Sequence, residues 1–480
     1  MRIIPKHTDN PVARACLGAS SACVAIPEQA EGVRDGILDR RGRPTSGCPG
    51  RSVLASSTRS RRRSLGLVGL AIVGSGLLVN AYLAIIARTI SAAEYAYFGA
   101  FWSLALVAGF GMFLPIEQET ARLLQVPNRP RGLLRAALLT AASLAAVQVV
   151  LVAAAAPWLA RAFGGHPSSV VAIGVLCLIS AGQFVVRGAL VGLDRMDRYA
   201  LVMVLDTLLR VAFAGAVALL IDAPGSSTFA WTLVAAVGLA HAPQLYLLAT
   251  RRVRLGTVPA MGEHTVTVGK VRRAVAPLLL GSLCAQVLLN GPPVLIPALA
   301  TNEAEITRAG QFIAAFTLAR VPLFLVVPLQ TALLPSLTAL LHSGDRAALR
   351  RVMLHIAIGI AGLGVAALVL GYFAGPPLVG LIFGKSYVLG GRDVALLAVG
   401  VAGYIGLVLV TQVLVAAVRH RLVAWSWLSG VAVAAVILFT VPDLLLAAEL
   451  AFLAGSATGW LVGTLLVLTT GRRERELQRA

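Results

Sequence analysis

Roughly a dozen apolar segments run from near Leu65 to near Thr470, and Lys and Arg gather in alternate gaps between them. Bilayer hydrocarbon is about 30 Å thick, so a helix needs roughly 20 apolar residues to cross it. The pattern predicts spans near 65–87, 96–116, 134–157, 169–192, 199–221, 228–249, 274–299, 309–338, 352–374, 393–417, 421–441 and 445–470. A chain patterned this way is an all-α polytopic membrane protein with about 12 transmembrane helices.

The basic residues set an orientation, because Lys and Arg in short loops favour the cytoplasmic side while acidic residues contribute little. The gaps after the even-numbered spans carry Arg122, Arg129, Arg131, Arg135, Arg187, Arg195, Arg198, Arg251, Arg252, Arg254, Lys270, Arg272, Arg273, Arg346, Arg350, Arg351, Arg419 and Arg421. Arg472, Arg473, Arg475 and Arg479 follow the last span. The opposite gaps hold only Arg88, Arg161, Arg308, Lys385 and Arg392. Both termini are therefore expected in the cytoplasm, in a multi-pass protein of the cytoplasmic membrane.

Composition agrees. The chain is 58% hydrophobic and 13% charged, with mean hydropathy +0.84. Its net charge of +20 invites a nucleic-acid reading. Positive-inside asymmetry already explains that charge, so no nucleic-acid partner is expected and anionic membrane lipids are. Residues 1–64 differ: they are basic, rich in Ser, Gly and Pro, and without sustained periodicity, so a disordered cytoplasmic tail is expected. Cys16, Cys23 and Cys48 match no zinc spacing, and Cys177 and Cys284 stand alone inside spans. No metal, disulfide or cofactor is implied.

The spans divide six and six around the basic loop, with both halves starting on the same side. The expected organisation is a tail 1–64, an N-terminal six-helix bundle 65–250, a basic cytoplasmic linker 251–273, a C-terminal six-helix bundle 274–470 and a tail 471–480. A faint echo supports a parallel repeat. Gly74-Ser75 then Asn80 in span one matches Gly281-Ser282 then Asn290 in span seven. Ala100-Phe101 before Pro115 in span two matches Ala315-Phe316 before Pro328 in span eight. Two such bundles enclose a central cleft and alternate access by rocking.

The stretch Ala84-Ile85-Ile86-Ala87-Arg88-Thr89-Ile90-Ser91-Ala92-Ala93-Glu94-Tyr95, then Phe98, resembles the opening of bacterial polysaccharide-biosynthesis flippases. Phe113-Leu114-Pro115-Ile116-Glu117-Gln118-Glu119-Thr120-Ala121-Arg122 resembles their second-helix exit. These are the O-antigen flippase-like members of the multidrug/oligosaccharidyl-lipid/polysaccharide exporter superfamily. The motif likeness covers about residues 65–125, and Ala96 departs from it where a Gly is usual. The resemblance implies a 6+6 transporter that moves a lipid-linked glycan of the polyprenyl-pyrophosphate type across the membrane, with glycan-assembly enzymes as candidate partners.

Ionisable groups at membrane depth are costly and face an interior cavity by default. Arg210 in span five and Arg320 in span eight lie near the midplane, one from each half. Their guanidiniums suit bidentate binding of a pyrophosphate, and a structural ion pair is the alternative. Asp206 shares a helix face with Arg210, as a coupling carboxylate or as a counter-ion. Glu117 is a second such candidate, although with Glu119 and Arg122 it also reads as a solvated helix end. Arg187 is expected to snorkel to the headgroups. Asn80, Gln286 and Asn290 can hydrogen-bond sugar hydroxyls or neighbouring helices. Asn290-Gly291-Pro292-Pro293 predicts a broken helix.

The short external gaps hold Glu94, His166, Asp222, Glu303, Glu305 and Asp443 singly or as one pair, with no metal cluster or nucleophile triad, which argues against an enzyme. The loop Glu119-Thr120-Ala121-Arg122-Leu123-Leu124-Gln125 lacks the Gly and Asp of a major-facilitator signature. A multidrug or cation antiporter of the same superfamily and a non-transporting scaffold are the remaining alternatives.

Overall fold

The computed structural model describes residues 49–126, 132–250, 266–343 and 345–479. The linker stretch 251–265, Arg129, Arg131 and the tail before residue 49, with its three cysteines, lie outside the described residues. Compact packing separates Met1–Arg62 from Arg63–Ala480; of the first unit only a helical backbone from Pro49 onward is described. That helix reaches back into the stretch 49–64, where the sequence suggested disorder.

Helices make up nearly all of the second unit, and no strand occurs among the described residues. In chain order they are α1 (Pro49–Thr89), α2 (Ala92–Leu106), α3 (Met112–Leu124), α4 (Leu133–Ala154), α5 (Ala156–Ala162), α6 (Pro167–Gly192), α7 (Met196–Leu220) and α8 (Ser226–Ala249). There follow α9 (Val268–Leu299), α10 (Glu303–Ala319), α11 (Leu323–Ser343), α12 (Arg346–Phe373), α13 (Gly375–Ile382), α14 (Gly391–Ala416), α15 (His420–Thr440) and α16 (Leu444–Arg479). Among the described residues eleven helical segments are long and apolar enough to cross a bilayer. The expected eighth span is split between α10 and α11 and completes the set.

Two breaks differ from the sequence expectation. The helix predicted to fail at Asn290-Gly291-Pro292-Pro293 continues through both prolines to Leu299. Proline's fixed φ is itself helical, and α9 runs through Pro277, Pro292, Pro293 and Pro297 alike. Packing of α9 against α2, α3, α15 and α16 holds it along its length. The break falls instead at Arg320-Val321-Pro322, where tightened bonds such as Leu323 N to Arg320 O (2.9 Å) turn the chain. A second irregularity is the π-helical turn Val107–Gly111 between α2 and α3. Its Ala108 carbonyl accepts from Gln148 Nε2 of α4 at 2.9 Å. Its Phe110 carbonyl accepts from Ser282 Oγ of α9, also at 2.9 Å.

Small residues set the close packing that apolar membrane helices require. Gly188 and Gly192 on α6 lie against the α3 backbone, where a Cβ would stand 2.6 Å from the Glu117 carbonyl oxygen and 2.9 Å from that of Ala121. Gly430 and Gly455 bring α15 and α16 together in the same way. The fourth spanning helix of each half is the central one: 67% of the apolar window of α6 is buried, and 78% of that of α14. Leu219, Leu220, Val365 and Phe439 lie bare on the outside, as a lipid-covered surface allows.

The two halves meet along α2 with α9 and α10. Gly310 touches the carbonyl of Ala92 so closely that a Cβ there would stand 1.9 Å from its oxygen. At the same end of the molecule Arg88 of α1 donates through Nε to the Ile382 carbonyl (2.9 Å) and through Nη2 to that of Leu381. A cation thereby satisfies the last carbonyls of α13. Tyr387 Oη donates back to the Ile90 carbonyl at 3.0 Å. Glu94 accepts from the Ser226 N–H at 2.7 Å and caps α8 from a neighbouring helix.

Candidate functional site

The C-terminal half holds Arg320 at the break between α10 and α11. Its Nη1 donates to Asn290 Oδ1 at 2.9 Å, and Asn290 Nδ2 donates to Gln286 Oε1 at 2.8 Å. Asn290 is fully buried. The guanidinium carbon lies 4.4 Å from the centroid of the Phe316 ring, and Nε reaches the Phe316 carbonyl at 3.3 Å. Tyr95 of α2 and Tyr404 of α14 are close enough to interact with its charge. No carboxylate forms an ion pair with Arg320 among the described residues. Three of the residues singled out in the sequence (Gln286, Asn290 and Arg320) thus form one hydrogen-bonded chain between α9 and α10.

Arg210 is held differently. Its Nε donates to Asp206 Oδ1 at 3.0 Å and its Nη2 to Oδ2, one helical turn back on α7. Its guanidinium also faces Trp102 of α2, 5.6 Å from the ring centroid. With Trp102, Ser180, Gln183, Leu233 and Val237 it lines a cavity of about 40 Å³ inside the N-terminal half. His241 of α8 is buried nearby, with Nδ1 on the Val237 carbonyl at 2.9 Å and Nε2 unpartnered among the described residues. Asn80 joins neither group, because its Nδ2 donates to Gly76 of its own helix at 2.9 Å.

Two expectations about charges are corrected. Arg187 does not snorkel and Glu117 is not solvated. The two form an ion pair with Nε to Oε2 at 3.1 Å, off the line of a hydrogen bond, and with side-chain exposures of only 7% and 10%. Tyr199 Oη accepts from Arg187 Nη2 at 3.2 Å and donates to Glu117 Oε1 at 3.4 Å. Phe110, Phe184 and Tyr199 surround the guanidinium with ring centroids 5.0–5.7 Å away. Snorkelling failed because α3 places a carboxylate within reach on the bundle interior. Glu119, also buried, takes a two-pronged contact from Arg122 at 2.7 and 2.8 Å.

Sequence reasoning missed Glu449 of α16. It is 1% exposed, and its Oε1 has no hydrogen-bond partner among the described residues. An isolated acid five residues inside an apolar helix was the signal that could have found it.

No family model matches the chain. An uncharacterized protein of Mycobacterium tuberculosis (strain ATCC 25618 / H37Rv) is 29% identical over 392 residues, covering 79% of this chain and 86% of that protein. An uncharacterized protein of Mycobacterium bovis is 26% identical over 380 residues, covering 76% and 83%. Among solved structures, the inward-facing conformation of a multidrug resistance MATE family transporter of the MOP superfamily aligns with TM-score 0.64 at 14% identity. The alignment covers 86% of this chain and 98% of that one. An outward-facing conformation of such a transporter aligns with TM-score 0.54 at 14% identity, covering 87% and 96%. At these identities the shared property is the fold: the chain has the helical architecture of MATE transporters.

Proposed function

We propose that the protein is a flippase that moves a lipid-linked oligosaccharide or polysaccharide precursor across the cytoplasmic membrane by alternating access, with both termini cytoplasmic. The observation that carries this reading is Arg320: a cation at membrane depth, oriented by Asn290 and Gln286, with no carboxylate to neutralise it among the described residues. A charge held at membrane depth without a counter-ion is expensive even when only partly buried, and a bound anion lowers that cost. A polyprenyl pyrophosphate supplies such an anion, and the planar guanidinium grips it through two parallel bonds. The MATE-like fold supports transport by two bundles that rock about a central cleft.

Arg210 then provides a second cation from the other half. Asp206 occupies it in this conformation, so substrate and carboxylate compete for one guanidinium. Release of Asp206 makes it the first candidate to carry a coupling cation. A positive charge moving down the membrane potential supplies about 2.3 kcal/mol per 100 mV. Gln286 and Asn290 position Arg320, while Asn80 is free to meet sugar hydroxyls only if it leaves its intrahelical bond. Anionic lipids and glycan-assembly enzymes are the proposed partners.

The test is export of lipid-linked glycan by Arg320→Ala and Arg210→Ala variants that reach the membrane at near-normal levels. Both are expected to lose export, and Arg→Lys is expected to restore part of it. Normal export by both Ala variants would sink the binding role. Retained drug efflux without any glycan export in the unaltered protein would favour the multidrug antiporter reading.

A further inference from the structure

Four acidic side chains are buried among the described residues, and three of them have an arginine: Glu117 has Arg187, Glu119 has Arg122 and Asp206 has Arg210. Glu449 has none. It sits on α16, which packs against α9, α10, α14 and α15. The charged groups around it lie nearer the helix end: Arg392 and Asp393 on α14, and Asp443 just before α16. Asp443 caps the first turn by accepting from Leu446 N–H at 2.8 Å and faces Arg308 of α10 at 3.9 Å. The stretches of α9 and α15 at that end, 280–299 and 430–440, contain no acid or base. Ionised Glu449 would carry an oxygen with neither a cation nor a donor, which an apolar interior disfavours strongly; a proton on the carboxyl removes that charge.

The position of Glu449 ties it to the rest of the C-terminal half. One turn further along α16 lies Phe452, whose ring stands edge-on to Phe316 with centroids 4.7 Å apart. Phe316 is the ring under the Arg320 guanidinium. Phe452 also presses directly on the α14 backbone at Gly400, where a Cβ would stand 2.6 Å from the ring. Phe452 and Phe316 thus form a packed path of two rings from α16 to Arg320.

We propose that Glu449 is a proton-binding site, loaded from the outer side near Asp443, that couples proton movement to the state of Arg320. Its use in coupling rests on the transport reading above, whereas proton binding itself does not. The first experiment labels the reconstituted full-length protein with dicyclohexylcarbodiimide, which reacts with protonated carboxyls in apolar surroundings, and maps the adduct by mass spectrometry between pH 6 and 9. Modification at Glu449 that falls at least several-fold as pH rises, with Glu117 and Asp206 left unmodified, is expected. An unmodified Glu449, or labelling indifferent to pH, would overturn the proposal.

The second experiment measures glycan movement in vesicles with and without an imposed pH gradient. Glu449→Gln should lose at least tenfold of the gradient-driven rate while inserting normally, and Glu449→Asp should recover part of it. If Glu449→Gln keeps the full gradient response, coupling through this residue fails and the transport reading stands. If the unaltered protein moves no glycan, the transport reading fails and the labelling alone decides the proton site. Should Glu449→Gln fail to insert, the labelling pattern and the Asp variant still decide.

Discussion

Replacing Glu117 by Gln isolates the energetics of a buried ion pair, because the change keeps the side-chain volume and removes only the charge. Arg187 is then left 7% exposed with no ion-pair partner among the described residues. Breaking a buried pair from one side costs about 3–5 kcal/mol, since the remaining charge stays desolvated. The ring faces of Phe110, Phe184 and Tyr199 and the Tyr199 hydroxyl are already in place in the unaltered protein, so they add nothing new to offset that loss. The Gln amide can still meet Tyr199, which puts the expected loss at the low end, about 3 kcal/mol. That corresponds to more than a hundredfold in the folded-to-unfolded ratio, because about 1.4 kcal/mol is tenfold.

Adding Arg187→Met removes the stranded cation and should recover most of that loss, because the buried Gln amide that remains at position 117 is neutral and keeps Tyr199 as a hydrogen-bond partner. The assay is chemical unfolding of purified protein in mixed micelles for the two single variants and the double variant. The coupling energy follows from the cycle. An unchanged unfolding midpoint in Glu117→Gln, or a double variant no more stable than that single one, would refute the reasoning.

Two further outcomes follow from packing and charge. Gly310→Ala must pry α10 from α2, because the added methyl would stand 1.9 Å from the Ala92 carbonyl oxygen. A loss of about 3 kcal/mol or more is expected in the same unfolding assay. Gly359→Ala, with open space around it, should instead be neutral or gain up to about 1 kcal/mol from helix propensity. Equal behaviour of the two would mean that the α2–α10 contact is not close-packed in the membrane. For orientation, single cysteines at the exposed positions Asp222 and Arg272 are expected to differ on intact cells. An impermeant thiol reagent should reach 222 and not 272; the reverse would overturn the orientation.

Hydropathy and helical period are local properties, so the sequence by itself determined an all-helical membrane protein and placed its spans. The Asp206–Arg210 pair was legible for the same reason, since residues four apart on a helix share a face whatever surrounds them. Tertiary structure decided the partners that lie far apart in the chain. Arg187 meets Glu117 only because the glycines of α6 let α3 approach it. Arg320 meets Asn290 only because α10 ends beside α9. Neither distance follows from a hydrophobic pattern, which fixes a face but not the neighbour against it. Prolines behaved likewise: Pro292 and Pro293 left α9 continuous while the chain turned at Pro322. Whether a proline breaks a helix depends on how firmly neighbouring helices hold the segment and satisfy its freed backbone groups. Glu449 was visible as a letter in an apolar run, but its lack of a counter-ion among the described residues depends on every helix around it, and only their packing decides that.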